Sequence, residues 1–144
     1  MMKISTRARY GIRALLDLAL NDEKERVLLK DIAQRQEISL PYLEHLITPL
    51  ITKGIVRSTR GSRGGISLRR RPEEIRLNEV VEILEGSIAP VECVDDPKIC
   101  PRSEFCVTRD LWDEIKRAMN DILNITLQDL VEKQKKRGKG INLN

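Results

Sequence analysis

The chain has 144 residues, enough for one domain with an extension or two small units, and its 40% hydrophobic content includes only 3% aromatics. A core of Leu, Ile, Val and Ala, and therefore a mainly α fold, is expected. No stretch approaches the roughly 20 uncharged apolar residues of a membrane span, and Lys3, Arg7, Arg9, Arg13 and Asp17 interrupt the N-terminal apolar run, which excludes a signal peptide.

The expectation is a cytosolic protein with no membrane partner, in which three closely spaced cysteines stay reduced. The net charge of +4 is modest but unevenly spread. Arg57, Arg60, Arg63, Arg69, Arg70 and Arg71 crowd one segment, while 73–96 is mainly acidic. That asymmetry points to a polyanion partner for the basic segment.

In chain order, Ile12, Leu15, Leu16 and Ala19 recur at helical spacing behind Ser5 or Thr6 as cap, with Arg7, Arg9 and Arg13 in the first turns, where a DNA phosphate is favoured. Leu29, Ile32 and Ala33 mark a second, short helix. Glu37-Ile38-Ser39 supplies a turn, and Leu43, Leu46, Ile47, Leu50 and Ile51 form the buried stripe of a third helix with Ser39 as its N-cap. Pro49 inside that stripe predicts a kink or break near Thr48.

Residues 55–59 and 66–68 read as two short strands around a glycine-rich tip. A small β wing thus follows a helix-turn-helix, and the first three helices with the wing make a winged helix-turn-helix domain over residues 1–86. On the third helix, Glu44 can accept from the exocyclic amine of cytosine, Tyr42 can touch a thymine methyl or a phosphate, and His45 can donate to a phosphate. At the tip, Arg60, Gly61 and Arg63 suit a narrow minor groove, because glycine lets the backbone approach and arginine fills the groove. The run lacks GxxxxGK[ST], which argues against a nucleotide-binding loop.

Pro72 to Gly86 predicts one or two short helices with Asn78 as a cap. Pattern is then lost over residues 87–107, where Pro90, Pro97 and Pro101 forbid a continuous helix and Cys93, Cys100 and Cys106 stand as C-x6-C-x5-C. Three thiolates on one loop can converge on an iron-sulfur cluster or on zinc, with the fourth ligand unknown. Residues 108–136 follow as a dimerisation segment. Thr108 is a cap, Leu111, Ile115, Ala118, Ile122 and Ile125 form a coiled-coil-like seam that asks for a partner helix, and Thr126 with Asp129 reads as a capping pair for a final helix. Residues 137–144 complete a basic, disordered tail.

Residues 4–11, 38–44, Arg60-Gly61 with Gly64-Gly65, and the three-cysteine loop ahead of Leu111-Trp112 together resemble the Rrf-type winged helix-turn-helix transcriptional regulators, and within them the iron-sulfur cluster regulators. The resemblance implies a homodimer joined through the long helix and bound to palindromic double-stranded DNA, acting as a repressor rather than an enzyme. It assigns DNA contacts to Ser39, Glu44 and Arg60, with Pro41 standing where the family carries a second serine. It makes Cys93, Cys100 and Cys106 the cluster ligands of a 4Fe-4S or 2Fe-2S centre. Arg109 occupies the position of the family's histidine ligand, and Arg9 that of its N-terminal aspartate ligand. Control by a partner protein or metabolite, without any cluster, is the alternative.

Overall fold

The computed structural model describes residues 3–21, 23, 26–59 and 65–138. Its architecture is seven α-helices and one two-stranded antiparallel sheet. Helix α1 (Thr6–Leu20) starts where Ser5 Oγ accepts the Ala8 N–H at 3.1 Å, and it buries Ala8, Ala14, Leu15 and Leu18. It is the central strut, touching α2 (Leu29–Gln36), α3 (Leu40–Thr52), α4 (Leu77–Glu85) and α7 (Leu127–Arg137).

The stripe expected in α3 is the one observed: Leu43, Leu46, Ile47 and Leu50 are buried against α1 and α4. Each such side chain stabilises the fold by about 1.5–3 kcal/mol relative to exposure. The expected break near Thr48 is absent, since α3 runs through Pro49 to Thr52. Proline removes one bond, to the carbonyl of exposed His45, where water can substitute. Thr48 and Thr52 also donate their hydroxyls to the carbonyls of Glu44 and Thr48, at 2.8 and 3.1 Å.

The wing pairs β1 (Val56–Thr59) with β2 (Gly65–Leu68) in the register Val56↔Leu68 to Thr59↔Gly65. A third segment joins it. Val27 and Ile66 exchange N–H and carbonyl at 2.8 Å in both directions, so the chain entering α2 is stitched to the base of the wing. Gly65 permits that approach, because a Cβ there would stand 2.8 Å from the Val27 carbonyl oxygen.

Beyond α4 the chain loses its core. Residues 87–106 contain only a four-residue helix, α5 (Glu92–Asp95), and a 3-10 turn at Pro97–Ile99. Helix α6 (Val107–Leu123) has no buried residue. The 108–136 segment is then two helices, and α7 returns to the first domain: Leu127 and Val131 are buried on it, behind the capping box of Thr126 and Asp129. Two other caps differ from expectation. The residue at the N-cap of α6 is Cys106 rather than Thr108, and α4 begins at Leu77, ahead of Asn78.

Candidate DNA interface and cysteine segment

The turn between α2 and α3 is made by Glu37, which adopts a left-handed φ of 55°. Its neighbours are held by a polar network that local sequence patterns do not announce. Asp17, only 3% exposed, accepts both Arg35 Nε and Nη2 at 2.9 and 2.7 Å, and Gln36 Nε2 at 2.9 Å. That bidentate bond, working against partial burial, raises the Arg35 guanidinium above its ordinary range. Arg13 donates to the side-chain and backbone carbonyls of Gln36, so α1 grips the end of α2 from two directions.

On the outer face of α3, Ser39, Glu44 and His45 are exposed. Ser39 sits at the N-cap position, yet its hydroxyl makes no capping bond. The expected cap is therefore an uncommitted hydroxyl. Tyr42 differs from its neighbours: it is half-buried, with its ring edge-on to Tyr10 at 6.0 Å between centroids and 87° between planes. The Arg13 guanidinium lies 5.1 Å from the Tyr10 centroid. A cation–ring–ring chain thus fixes Tyr42 on the outer face of α3.

Arg60, Gly61 and Arg63 lie outside the described residues. Of the remaining wing arginines, Arg70 is bidentate to Glu79 at 3.0 and 2.7 Å, holding that carboxyl below the usual range, and Arg71 pairs with Glu74. Arg57 and Arg69 stay exposed beside β1 and β2. Among its described residues the basic run therefore divides between the protein's own acids and solvent.

The three cysteines are half-buried and unpaired. Cys106 Sγ lies 3.1 Å from Thr108 Oγ1, and that hydroxyl, together with the Arg109 and Thr108 backbone N–H groups and the charge of Arg102, lowers the thiol below its ordinary pKa. Arg109 points the other way, donating from Nε to the Cys93 carbonyl at 2.9 Å and from Nη2 to the Val94 carbonyl at 3.4 Å. Lys116 grips Asp95 at 2.7 Å, with Ser87 on the other carboxylate oxygen, and these bonds hold the Asp95 carboxyl low. Arg109 and Lys116 thereby clasp α5 onto α6. Among the described residues no three His, Cys, Asp or Glu side chains converge as a ready-made metal site.

Helix α6 leaves large apolar side chains uncovered: Val107 is 78%, Leu111 50% and Ile122 73% exposed, with Phe105 just ahead of it at 74%. No helix of the described residues is long and apolar enough to cross a membrane.

A turn-linked helix pair on a third supporting helix, followed by a paired wing, defines a winged helix-turn-helix protein of the transcriptional-regulator class. A protein family described as Rrf2, iron-dependent transcriptional regulator, matches residues 4–133. Protein rrf2 of Nitratidesulfovibrio vulgaris is 47% identical over 131 residues, covering 90% of this chain and 87% of that one. Among solved structures, CymR, the global cysteine regulator of Bacillus subtilis, superposes with a TM-score of 0.77 at 37% identity over 92% of this chain and 98% of that one. IscR of T. potens does so with a TM-score of 0.75 at 36% identity, over 91% and 87%. The chain belongs to the Rrf2 family of DNA-binding transcriptional regulators, whose members are not enzymes.

Proposed function

We propose that this regulator binds a palindromic operator as a homodimer and represses transcription, with operator affinity set by an iron-sulfur centre on the cysteine segment. The observation that carries the DNA half is the outward, uncommitted presentation of Ser39, Glu44 and His45 by a helix whose other face is buried. Tyr42 and the tip residues Arg60, Gly61 and Arg63 complete the contact set. Pairing through α6 is supported by its uncovered seam, and two protomers would place their recognition helices about 34 Å apart on one face of the duplex.

The donor set fits a sulfur-ligated iron centre in its chemistry: three thiols, one of them already lowered toward thiolate, on a segment with little core of its own. Cys93, Cys100 and Cys106 would hold a 2Fe-2S or 4Fe-4S cluster, which when bound supplies a redox-sensitive, oxygen- and nitric-oxide-reactive group. The fourth position lacks a side chain of the expected kind, since Arg109 is engaged with backbone carbonyls. The chain's own part is mechanical. Order in residues 87–105, transmitted through the Arg109 and Lys116 clasp, sets how α6 lies and hence the separation of the two recognition helices.

The test is an absorbance spectrum with iron and acid-labile sulfide counts on protein purified without oxygen. Near-ultraviolet and visible bands that vanish in Cys100→Ala are expected, along with operator affinity that follows them. A colourless, iron-free wild type would remove the cluster from the proposal.

The same clasp favours a second reading, in which a partner protein or metabolite controls the regulator. Arg109 orders the cysteine segment by bonds that need no metal. Unchanged operator regulation after replacing all three cysteines by alanine would select that reading. A zinc-bound segment would instead return zinc without sulfide.

A further inference from the structure

We propose that α1 makes a contact of its own with the DNA backbone, in which Arg9, seconded by Arg13, grips a phosphate on the strand bordering the groove that α3 enters. The inference rests on the reading of α3 as the base-contacting helix. One face of α1 carries it. Thr6, Arg9, Tyr10, Arg13 and Asp17 fall on a common stripe at helical spacing, and Arg7 falls off it. That stripe follows the helix-turn-helix along its length. Asp17 holds Arg35 and Gln36 of α2, Arg13 holds the Gln36 side chain and carbonyl, and Tyr10 meets Tyr42 in the first turn of α3. Arg9 is the next position, and it is exposed.

Little inside the chain uses the Arg9 guanidinium. It lies 5.9 Å from the Tyr10 centroid and donates once, from Nη2 to Thr6 Oγ1 at 3.2 Å. Neither Arg9 nor Arg13 forms an ion pair among the described residues, whereas Arg35, Arg70 and Arg71 each hold a carboxylate. A guanidinium has five N–H donors, of which Arg9 spends one and Arg13 two, so most of each fork is left for an outside acceptor. The position is as telling as the free donors. Spans of 5.9 and 6.0 Å to and from the Tyr10 centroid bound the distance from the Arg9 guanidinium to the Tyr42 ring at about 12 Å, roughly the width of the major groove. A cation at that reach from a helix lying in the groove meets the bordering phosphates, not the base edges. Arginine forks match phosphate oxygens, and such contacts fix the register of a protein on the duplex without reading sequence.

The experiment measures, by fluorescence anisotropy, binding of the full chain to two labelled duplexes of ~30 bp over a range of salt from about 50 to 300 mM. One duplex carries the sequence that the wild type recovers from a random pool, and the other a scrambled sequence. Arg9 is exposed, so Arg9→Met is expected to fold normally. It is expected to weaken binding to both duplexes by the same factor, about threefold or more, and to reduce the slope of log affinity against log salt by about 0.9, the share of one phosphate. Arg9→Lys keeps the charge and is expected to restore the slope. Arg137→Met, the same change of charge in the last turn of α7, is expected to keep the wild-type slope. Wild-type affinity and slope in Arg9→Met overturn the proposal, as does an equal fall in Arg137→Met or a loss confined to the selected duplex. Glu44→Ala separates this contact from base reading: if it leaves the preference between duplexes intact while Arg9→Met still lowers the slope, base reading by Glu44 falls and the phosphate contact stands.

Discussion

The winged domain and the cysteine–α6 region are built by opposite means. The first surrounds α1 with aliphatic side chains at or near zero exposure and closes its polar gaps with the Asp17–Arg35 bond. In the second, Val94 is the lone buried residue from Ser87 through Leu123, and shape is held by side-chain bonds from Arg109 and Lys116 to α5. The lesson is that DNA reading rests on a frame too costly to deform. The region proposed for sensing rests on a few polar bonds that modest free energies can rearrange.

Substitutions that separate the two regions should differ most in stability. Leu43→Ala, at a fully buried site in α3, is expected to cost about 2–5 kcal/mol by the transfer and cavity terms, read as a lowered denaturant midpoint. Ile122→Ala on α6 is expected to change monomer stability by less than about 0.5 kcal/mol while weakening self-association in sedimentation. A reversal of that order would break the contrast.

Next is Arg35→Met, which strands the nearly buried Asp17 carboxylate. A loss of about 3 kcal/mol is expected in chemical unfolding, with reduced operator affinity, because both the α1 grip and the turn into α3 relax.

A smaller effect tests the clasp through pH. Asp95 binds its proton less readily in the folded chain than when unfolded, so its contribution is complete above the ordinary carboxylate pKa of about 4 and is lost as pH falls through the lower folded value. Trp112, the sole tryptophan, lies half-buried on α6 and reports the change by fluorescence. Acidification below about pH 4 is expected to shift its emission, and Asp95→Asn to show the shifted emission already at pH 7. An Asn variant that still titrates like wild type would detach the clasp from α6.

The smallest expected change is a gain. Glu37→Gly removes the steric cost of a left-handed φ in a residue with a Cβ and should raise the melting temperature, by about 0.5–1 kcal/mol of stability.

What could be read in the sequence follows from range. The stripe of α3, the two wing strands and the Thr126–Asp129 box are patterns of residues within a few positions of one another, and the structure repeats them. Pro49 misled because a local rule ignores that the bond it removes falls at exposed His45, where water can substitute. Asp17–Arg35, Tyr10–Tyr42 and Val27–Ile66 pair residues 18 to 39 positions apart, and single long-range pairs leave no periodicity to detect. For the site, the outward position of Ser39, Glu44 and His45 was legible. The engagement of Arg70 by Glu79 and of Arg109 by backbone carbonyls was not, because a run of like charges carries no record of its own counter-ions.

The return of the chain after α6 has a mechanical consequence. Leu77 N–H bonds the Ile125 carbonyl and Leu127 N–H the Ile75 carbonyl, both at 2.9 Å, so the far end of α6 is fastened to the approach to α4. The near end is fastened through α5. A 17-residue helix of about 25 Å anchored at both ends is a doubly clamped beam, not a lever. While those end bonds hold, it can roll about its axis or bow slightly but does not swing free. Two such beams lying against each other would trade position in small steps, so any response would be a fine adjustment of groove-to-groove spacing rather than the opening and closing of a hinge.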